Sequence, residues 1–202
     1  AALLGILIGT IAAFLKLSTR KNGSKTIASR IASAYIDIIR GTPTTVQLLI
    51  MWSGILATCK NSVLIASLTF GINSGAYVAE IVRAGILAVD KGQMEAGRSL
   101  GLNKLQTMRY IIIPQAFKIA APAFGTRVVG SFQATAMAFT LGIIDIMGQV
   151  KAIGTRTNRV LEGYVDAAII FIIVSYLLER LFTWMEHRLN GQTRRKENGI
   201  AL

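Results

Sequence analysis

Two sets of polar side chains lie within apolar stretches of this sequence, at spacings that suit helices. The first set is Asn73 and Tyr77, and the second is Arg127, Ser131, Gln133 and Thr135. Side chains four residues apart share one face of a helix. Asn73 and Tyr77 should therefore lie side by side with Glu80 close by, and Arg127 should line up with Ser131 and Thr135. Polar groups in apolar surroundings predict a path for a polar solute.

Arg127 carries the most specific chemistry of these side chains. A guanidinium binds a carboxylate through two parallel N–H···O bonds, so one hypothesis is that Arg127 pairs with the carboxylate of a solute. The alternative is an ion pair or carbonyl contacts between helices. Asn73, Ser74 and Gly75 equally fit helix packing, because the small residues of "GINSG" mark close helix approach.

The sequence offers no catalytic or metal site. Cys59 is the only cysteine and His187 the only histidine, which leaves no intrachain disulfide and no cysteine-based metal site. His187 falls near the end of an apolar run, where an interfacial residue is expected. Since no paired acid and base is visible at depth, we predict no catalytic residue and no bound metal.

Composition places the chain among integral membrane proteins. Of its 202 residues, 52% are hydrophobic and 16% are charged, and the mean hydropathy is +0.53. A soluble domain carries about a quarter charged residues. The net charge of +12 does not indicate nucleic acid, because the basic residues fall between apolar runs instead of forming a stripe with interleaved aromatics.

Five apolar segments predict an all-α integral membrane protein with one domain, residues 1–202. The segments are residues 1–15, 45–58, 62–82, part of 116–144, and 166–185. The first is shorter than the roughly 20 residues that span a bilayer and has no basic region before it, so we expect an N-terminally truncated first helix and no signal peptide. Residues 26–39 predict an amphipathic lead-in helix that Pro43 ends.

Depth and charge then order these segments. Arg127 lies nine residues beyond Lys118, about 14 Å along a straight helix, which is near mid-bilayer unless the helix sits closer to the interface. Most of the 22 basic residues fall on one side, so the positive-inside rule predicts an external N-terminus and a cytoplasmic C-terminus. A basic tail at residues 188–202 fits contact with anionic lipid.

A polar insert at residues 89–115 separates the third and fourth segments. Asp90 and Gln93 form a capping-box pattern for a helix that begins at Lys91, and Gly101 is a natural left-handed terminator. Asn103 and Gln106 repeat the cap pattern. The second helix should yield near Pro114, giving a bent re-entry into the membrane. On this ground alone, a docking surface and an ordinary solvated loop remain open alternatives.

Seven residues of the polar insert resemble a known signature. They are Glu95, Ala96, Gly97, Gly101, Ile111, Ile113 and Pro114. Their spacing resembles the EAA loop of ABC-importer permeases, in which Glu-Ala-Ala is followed by Gly and by Ile-x-Leu-Pro. Gly97 replaces the second Ala and Ile113 replaces Leu, and neither change alters the spacing. The resemblance implies that these residues form a coupling helix that docks on a separate ATPase subunit.

Further stretches resemble the polar amino-acid branch of that family, whose members import His, Glu, Gln, Arg, opines or cystine. They are "RGTPTTVQLL" (40–49) and residues 73–93, while residues 138–149 resemble cystine-type members. Where family members often read Lys-Asp-Thr-Ser-Leu, this chain has "QATAM" (133–137) and lacks the charged pair.

The resemblance implies five transmembrane helices in a permease core of a bacterial-type cytoplasmic (inner) membrane. It also implies a second permease copy or paralogue and an extracytoplasmic amino-acid-binding protein as partners. No G-x-x-x-x-G-K-[ST] sequence is present, so we expect no cofactor on this chain, and ATP with Mg²⁺ on the partner ATPase.

Two other classes of protein compete with this interpretation. An ion-coupled secondary transporter would show internal repeats with unwound midplane segments, and no repeat is visible. A membrane-embedded enzyme would need an acid/base pair or metal cluster at depth. Among the three, an ATP-driven permease is the interpretation that the sequence favours.

Overall fold

The computed structural model describes residues 1–18 and 24–200, and the side-chain surroundings within these ranges as far as Arg188. The regular elements are helices, and their bounds are α1 Ala2–Leu17, α2 Ile27–Arg40, α3 Thr44–Ile50, α4 Ser62–Ala88, α5 Lys91–Ser99, α6 Lys104–Thr107, α7 Ile113–Ala134, α8 Ile146–Thr157 and α9 Val160–Ile200. The all-α prediction is confirmed. Arg20 and Lys21, which the sequence places on the inner side, lie outside the described residues.

Three short helical stretches of other pitch extend these helices. A π-helical stretch, Met51–Ile55, continues α3, and a second one, Met108–Ile112, joins α6 to α7. A 3₁₀ stretch, Thr135–Leu141, continues α7. Lys104–Leu141 is consequently a single helical rod, and α8 follows it at a bend of 50°.

Two helices of the described ranges are long and apolar enough to cross a membrane by themselves, namely Ser62–Ala88 and Val160–Arg188. The bent pair of Lys104–Leu141 and α8 makes a third when it is counted as one span. Ala2–Leu17 and Thr44–Ile55 are apolar but shorter. The helices corresponding to the predicted segments 62–82 and 166–185 are longer than the segments themselves.

Helices α2 and α3 together run antiparallel along α4. Ile36 of α2 packs against Ala79, whereas Leu48 of α3 packs against Ile65 and Ala66, nearer the start of α4. Between these contacts, residues 41–43 break the helix. The lead-in helix that we expected over residues 26–39 therefore packs beside α4, and α3 continues along α4 after the break.

Helix α1 approaches α4 closely because small residues face each other. A Cβ at Gly5 would stand 2.8 Å from Ser74 Cβ, and one at Gly75 would stand 3.1 Å from Cγ2 of Ile8. Such contacts let two backbones pack tightly in a bilayer. The packing interpretation of Ser74 and Gly75 is confirmed.

An ion-pair cluster joins the same two helices. Lys16 Nζ of α1 lies 2.5 Å from Glu80 Oε1, and Arg83 Nη2 lies 2.8 Å from Glu80 Oε2. Glu80 thus forms ion pairs with α1 and with the next turn of α4, whereas we expected its side chain to lie beside Asn73 and Tyr77. Lys16 belongs to the helix that it was expected to follow.

The predicted end of the second helix near Pro114 is wrong. Proline removes a backbone donor and crowds the carbonyl four residues earlier. Here the wider turn of Met108–Ile112 precedes it, and Pro114 sits at the start of α7. Because a π-turn absorbs the missing bond, the helix continues from Lys104 through α7 without a break. Its marked bend lies after Leu141 instead.

Candidate functional site

Arg127 of α7 meets α4 through the residues that the sequence singled out. Its Nη2 donates to Asn73 Oδ1 at 2.8 Å, and its guanidinium carbon lies 4.1 Å from the centroid of the Tyr77 ring. Asn73 is 3% exposed, and Arg127 is half-buried. The Nε–H of Arg127 is buried and has no hydrogen-bond acceptor. Arg127 therefore makes a contact between helices, as the alternative interpretation expected. Its Nε–H remains a donor without an acceptor.

Gln47 of α3 fixes the orientation of the Asn73 amide. Gln47 Nε2 donates to the carbonyl oxygens of Ile39 and Thr42, at 2.8 and 3.1 Å, and to the Thr42 hydroxyl at 2.7 Å. Its Oε1 must then face the other way, where it accepts from Asn73 Nδ2 at 2.9 Å. The Oδ1 of Asn73 is left to accept from Arg127. A chain of amides thus runs from the α2–α3 break to α7.

Arg40 adds a second guanidinium to this cluster. It is the last residue of α2, and its guanidinium carbon lies 5.5 Å from the centroid of the Tyr77 ring. We refer to Arg40, Gln47, Asn73, Tyr77 and Arg127 as the Arg127 cluster. It brings α2, α3, α4 and α7 together at the level of the helix break.

The other three predicted solute-path residues lie apart from this cluster. Ser131 and Thr135 line a cavity of about 220 Å³ together with Ser74, and the Thr135 hydroxyl donates to the Phe132 carbonyl at 2.6 Å. Gln133 Nε2 lies 3.4 Å from Ser175 Oγ on α9. The spacing argument placed Arg127, Ser131 and Thr135 on one face, but the structure gives this face two separate environments.

The first helix of the polar insert begins and ends as its sequence predicts. The Asp90 carboxylate accepts from the Gly92 amide at 2.7 Å, although the expected bond to Gln93 is absent and the Gln93 side chain accepts from Gln115 instead. At the other end, Gly101 has a φ of 83°. Leu102 N donates to Gly97 O and Gly101 N to Arg98 O, which is a Schellman motif.

The second helix of the polar insert begins with a reciprocal cap. Asn103 Oδ1 accepts from Gln106 N, and Gln106 Oε1 accepts from Asn103 N, both at 2.9 Å. This is the predicted capping box. Two backbone donors at the start of Lys104–Thr107 are thereby satisfied. The turn between α5 and α6 is therefore held by the Schellman motif on one side and by the capping box on the other.

Gly97 and Thr107 hold the two helices of the polar insert together. Thr107 is fully buried, and a Cβ at Gly97 would stand 2.6 Å from its Cγ2 and 3.2 Å from Cδ1 of Ile111. Glycine at this position, where the resembled signature has alanine, is what allows Thr107 to fit. Gly97 therefore has a packing role that its spacing alone could not reveal.

The outer face of the polar insert is open. Glu95 and Ala96 are exposed, and the apolar side chains of Leu100 and Leu105 are 81% and 77% exposed. Pro114 is also exposed, and Ile113 lies at a groove shared with Val82 and Ile86, whereas Ile111 is half-buried against the core at the base of the insert. An exposed apolar face with satisfied caps beneath it suits a docking surface.

Sequence reasoning missed Arg40, Gln47 and Thr107. Arg40 and Gln47 lie within the stretch "RGTPTTVQ". Pro43 and the preceding small residues indicate a helix break, but they do not indicate how far along α4 this break lies. A buried amide next to a helix break is a usable signal, because unwound carbonyls need donors. Thr107 carries no such signal.

The chain matches a known family over most of its length. The family described as the inner membrane component of binding-protein-dependent transport systems matches residues 5–191. Among curated proteins, the L-cystine transport system permease protein TcyL of Bacillus subtilis is 38% identical over 83% of this chain and 74% of its own. The glutamine transport system permease protein GlnP of Escherichia coli is 33% identical over 92% of this chain and 84% of its own.

Solved structures agree with this match. The crystal structure of an amino acid ABC transporter with histidines has a chain that is 38% identical, with a TM-score of 0.84 over 92% of this chain and 86% of its own. The methionine ABC transporter MetNI in an inward-facing conformation shares the fold at 19% identity and a TM-score of 0.77, over 93% of this chain and 88% of its own.

The chain belongs to the family of binding-protein-dependent transport system inner membrane components. It is the membrane-spanning permease subunit of an ABC importer, in which a separate subunit hydrolyses ATP.

Proposed function

We propose that this permease imports polar amino acids and that its polar insert couples it to the ATPase. The observation that carries the coupling role is the Gly97–Thr107 contact beneath an exposed outer face. It makes α5 and α6 one rigid body, and rigid elements transmit displacement with little loss. Nucleotide-driven closure of the ATPase pair would draw the docked inserts together and switch the access of the path.

The proposed substrate is an amino acid of the polar class, with cystine as a specific candidate. Relatives with 29–38% identity are named for L-cystine, glutamine, arginine and nopaline transport. Residues 138–149 resemble cystine-type members. The Arg127 cluster fits such solutes, because a guanidinium with an unused donor suits the carboxylate that they share. Ser131, Gln133 and Thr135 extend the proposed path.

We propose five membrane crossings for the core. They are α1, the broken helix α2–α3, α4, the rod Lys104–Leu141, and α9. Counting α2–α3 as one crossing gives an antiparallel order that agrees with an external N-terminus and a cytoplasmic C-terminus, as the positive-inside rule favours. The polar insert then faces the cytoplasm with the basic tail.

The proposed partners follow from the same arrangement. An ABC ATPase subunit would dock on Glu95, Ala96, Leu100 and Leu105. A second permease, identical or paralogous, would pair with this one, because only 6% of the apolar window of Val160–Arg188 is buried within the chain. An extracytoplasmic binding protein would deliver the amino acid. ATP and Mg²⁺ belong to the ATPase.

The test is uptake by the reconstituted transporter. The chain, its ATPase and its binding protein are incorporated into proteoliposomes, and radiolabelled L-cystine and L-glutamine are offered on the side of the binding protein. We expect uptake that requires ATP and that vanadate abolishes. Uptake that follows an ion gradient without ATP would instead establish a secondary transporter, the competing class.

The role of Arg127 is tested in the same assay. Arg127→Ala should lose uptake while assembly and ATP hydrolysis persist. An Arg127→Ala transporter that carries amino acid at the wild-type rate would show that the guanidinium serves helix contact alone.

A further inference from the structure

The geometry points to Arg40 as the second cation of the solute site: we propose that Arg40 and Arg127 together hold the carboxylate of the solute beside Tyr77. This inference rests on the proposed function. It adds a specificity-determining residue from the α2–α3 break and states which chemical group of the solute the site recognises.

Two positive charges face one aromatic ring in the Arg127 cluster. The guanidinium carbons of Arg40 and Arg127 lie 5.5 and 4.1 Å from the centroid of Tyr77. Both distances are measured to one ring, so the two charges are no farther apart than about 10 Å, the Debye length at 0.1 M salt. Arg127 is half-buried, whereas Arg40 is exposed, so the cluster presents its second guanidinium on the accessible side of Tyr77.

These two charges have no ion pair with a carboxylate of the described residues. Within residues 1–18 and 24–188, Glu80 pairs with Lys16 and Arg83, and neither Arg40 nor Arg127 has a carboxylate partner. Arg127 also keeps a buried Nε–H without an acceptor. Unbalanced positive charge and an unused buried donor are conditions that a bound anion relieves.

The helix break keeps Arg40 in place. Gln47 of α3 donates to the Ile39 carbonyl, which precedes Arg40, and to the Thr42 carbonyl, which follows it. The end of α2 is therefore tied to α3 on both sides of Arg40. Asn73, held by Gln47, ties Arg127 to the same break. Gln47 thus positions both guanidiniums, through the end of α2 and through Asn73.

Two guanidiniums that no carboxylate of the described residues pairs with define the ligand chemistry. A free carboxylate is accepted, because each guanidinium offers it paired donors. An amide in its place would leave both charges unbalanced, and a cationic side chain would be repelled. The site thus requires an amino acid with its carboxylate free.

A simpler role for Arg40 is stabilisation of the end of α2, since a basic residue in the last turn interacts favourably with the helix dipole. Arg30 offers a matched control, because it is an exposed arginine on the same helix. The conservative variant Arg40→Lys keeps the positive charge while losing the planar donor pair, and so separates charge at the helix end from recognition of a carboxylate.

The experiment measures ATP-driven amino-acid uptake by the complete transporter in proteoliposomes for Arg40→Gln, Arg127→Gln, the double variant and Arg30→Gln. We expect each of the first two to lose about tenfold or more, as for a lost hydrogen bond to a charged group, and the double variant to lose no more than the worse single. Arg30→Gln should match the wild type. Equal uptake by Arg40→Gln and Arg30→Gln, or losses that multiply in the double variant, would overturn the proposal.

A binding measurement separates recognition from folding. The detergent-solubilised permease–ATPase complex is heated with L-glutamine, with L-cystine, or with the α-carboxamide of L-glutamine. The free acids should raise the Tm of the wild type and of Arg30→Gln, the carboxamide should not, and Arg40→Gln and Arg40→Lys should each lose most of the shift. An unchanged shift in Arg40→Gln contradicts the proposal. Wild-type proteoliposomes without any ATP-driven amino-acid uptake would instead refute the proposed function.

Discussion

A methyl group at Gly97 would stand 2.6 Å from Cγ2 of Thr107, a distance that atoms of neighbouring side chains do not reach. Helix α5 and the start of the long rod therefore approach each other as closely as a glycine permits. Thr107 is held in turn by its hydroxyl, which donates to the Asn103 carbonyl at 3.1 Å. We therefore expect the outer face of the polar insert to move as one piece with the rod that leads to Arg127.

Gly97→Ala should weaken coupling. Alanine favours a helix over glycine by about 1 kcal/mol, but overpacking a tight contact costs about 1–3 kcal/mol, so the net effect is a displaced α5. We expect a severalfold loss of ATPase stimulation by the loaded binding protein. Thr107→Ser removes Cγ2 and keeps the hydroxyl, so it should restore Gly97→Ala. A double variant no better than Gly97→Ala would contradict the contact argument.

Gly101→Val should uncouple transport from ATP hydrolysis. The φ of 83° at Gly101 costs a residue with a Cβ about 1–2 kcal/mol, and a branched side chain is the least tolerant. Gly101→Asn is the matched variant, because asparagine adopts the left-handed region more readily. We expect wild-type membrane insertion of both variants and transport near wild type for Gly101→Asn alone. Equal transport by the two variants would argue against the backbone explanation.

Gln47→Leu should disorganise the Arg127 cluster. Leucine cannot donate to the Ile39 and Thr42 carbonyls, nor accept from Asn73. Each buried partner left unsatisfied costs about 1–3 kcal/mol, so both the Tm in detergent and the uptake rate should fall. Gln47→Glu should fail as well, because it retains an acceptor but loses the donors. A stable, active Gln47→Leu transporter would show that the amide chain is dispensable.

Glu80→Gln should lower stability without directly affecting the Arg127 cluster. Two half-buried cations, Lys16 and Arg83, would lose their carboxylate. The partly exposed setting reduces the cost below that of a fully buried pair, and we expect about 1–2 kcal/mol. Thermal unfolding in detergent measures it. Lys16→Met in a double-mutant cycle with Glu80→Gln should show a coupling between the two positions; independent effects would count against the pair.

Signals that act within a few residues were predictable from the sequence. The helix beginning at Lys91, the left-handed Gly101 and the Asn103–Gln106 capping box depend on neighbours along the chain, and the structure contains all three. The face shared by Asn73 and Tyr77 was also predictable, because helical spacing determines it.

Relations between distant helices were not predictable in the same way. Spacing cannot tell that Glu80 turns to Lys16 of α1, or that Gln133 turns to Ser175 of α9. No local pattern marks the π-turn that precedes Pro114, so the sequence could not predict that the helix continues past this proline. The position of the α2–α3 break beside Asn73 required the packing of Leu48 and Ile36 along α4.

The broken crossing has a consequence for how this protein enters the membrane. Thr44–Ile55 spans about 18 Å as a helix, too short to cross the roughly 30 Å hydrocarbon core alone. The partner that anchors its break, Asn73, is synthesised 26 residues after Gln47. If α2 and α3 form one crossing, as proposed, we expect the nascent chain to leave the insertion machinery with α2, α3 and α4 as one unit, after α4 has been translated.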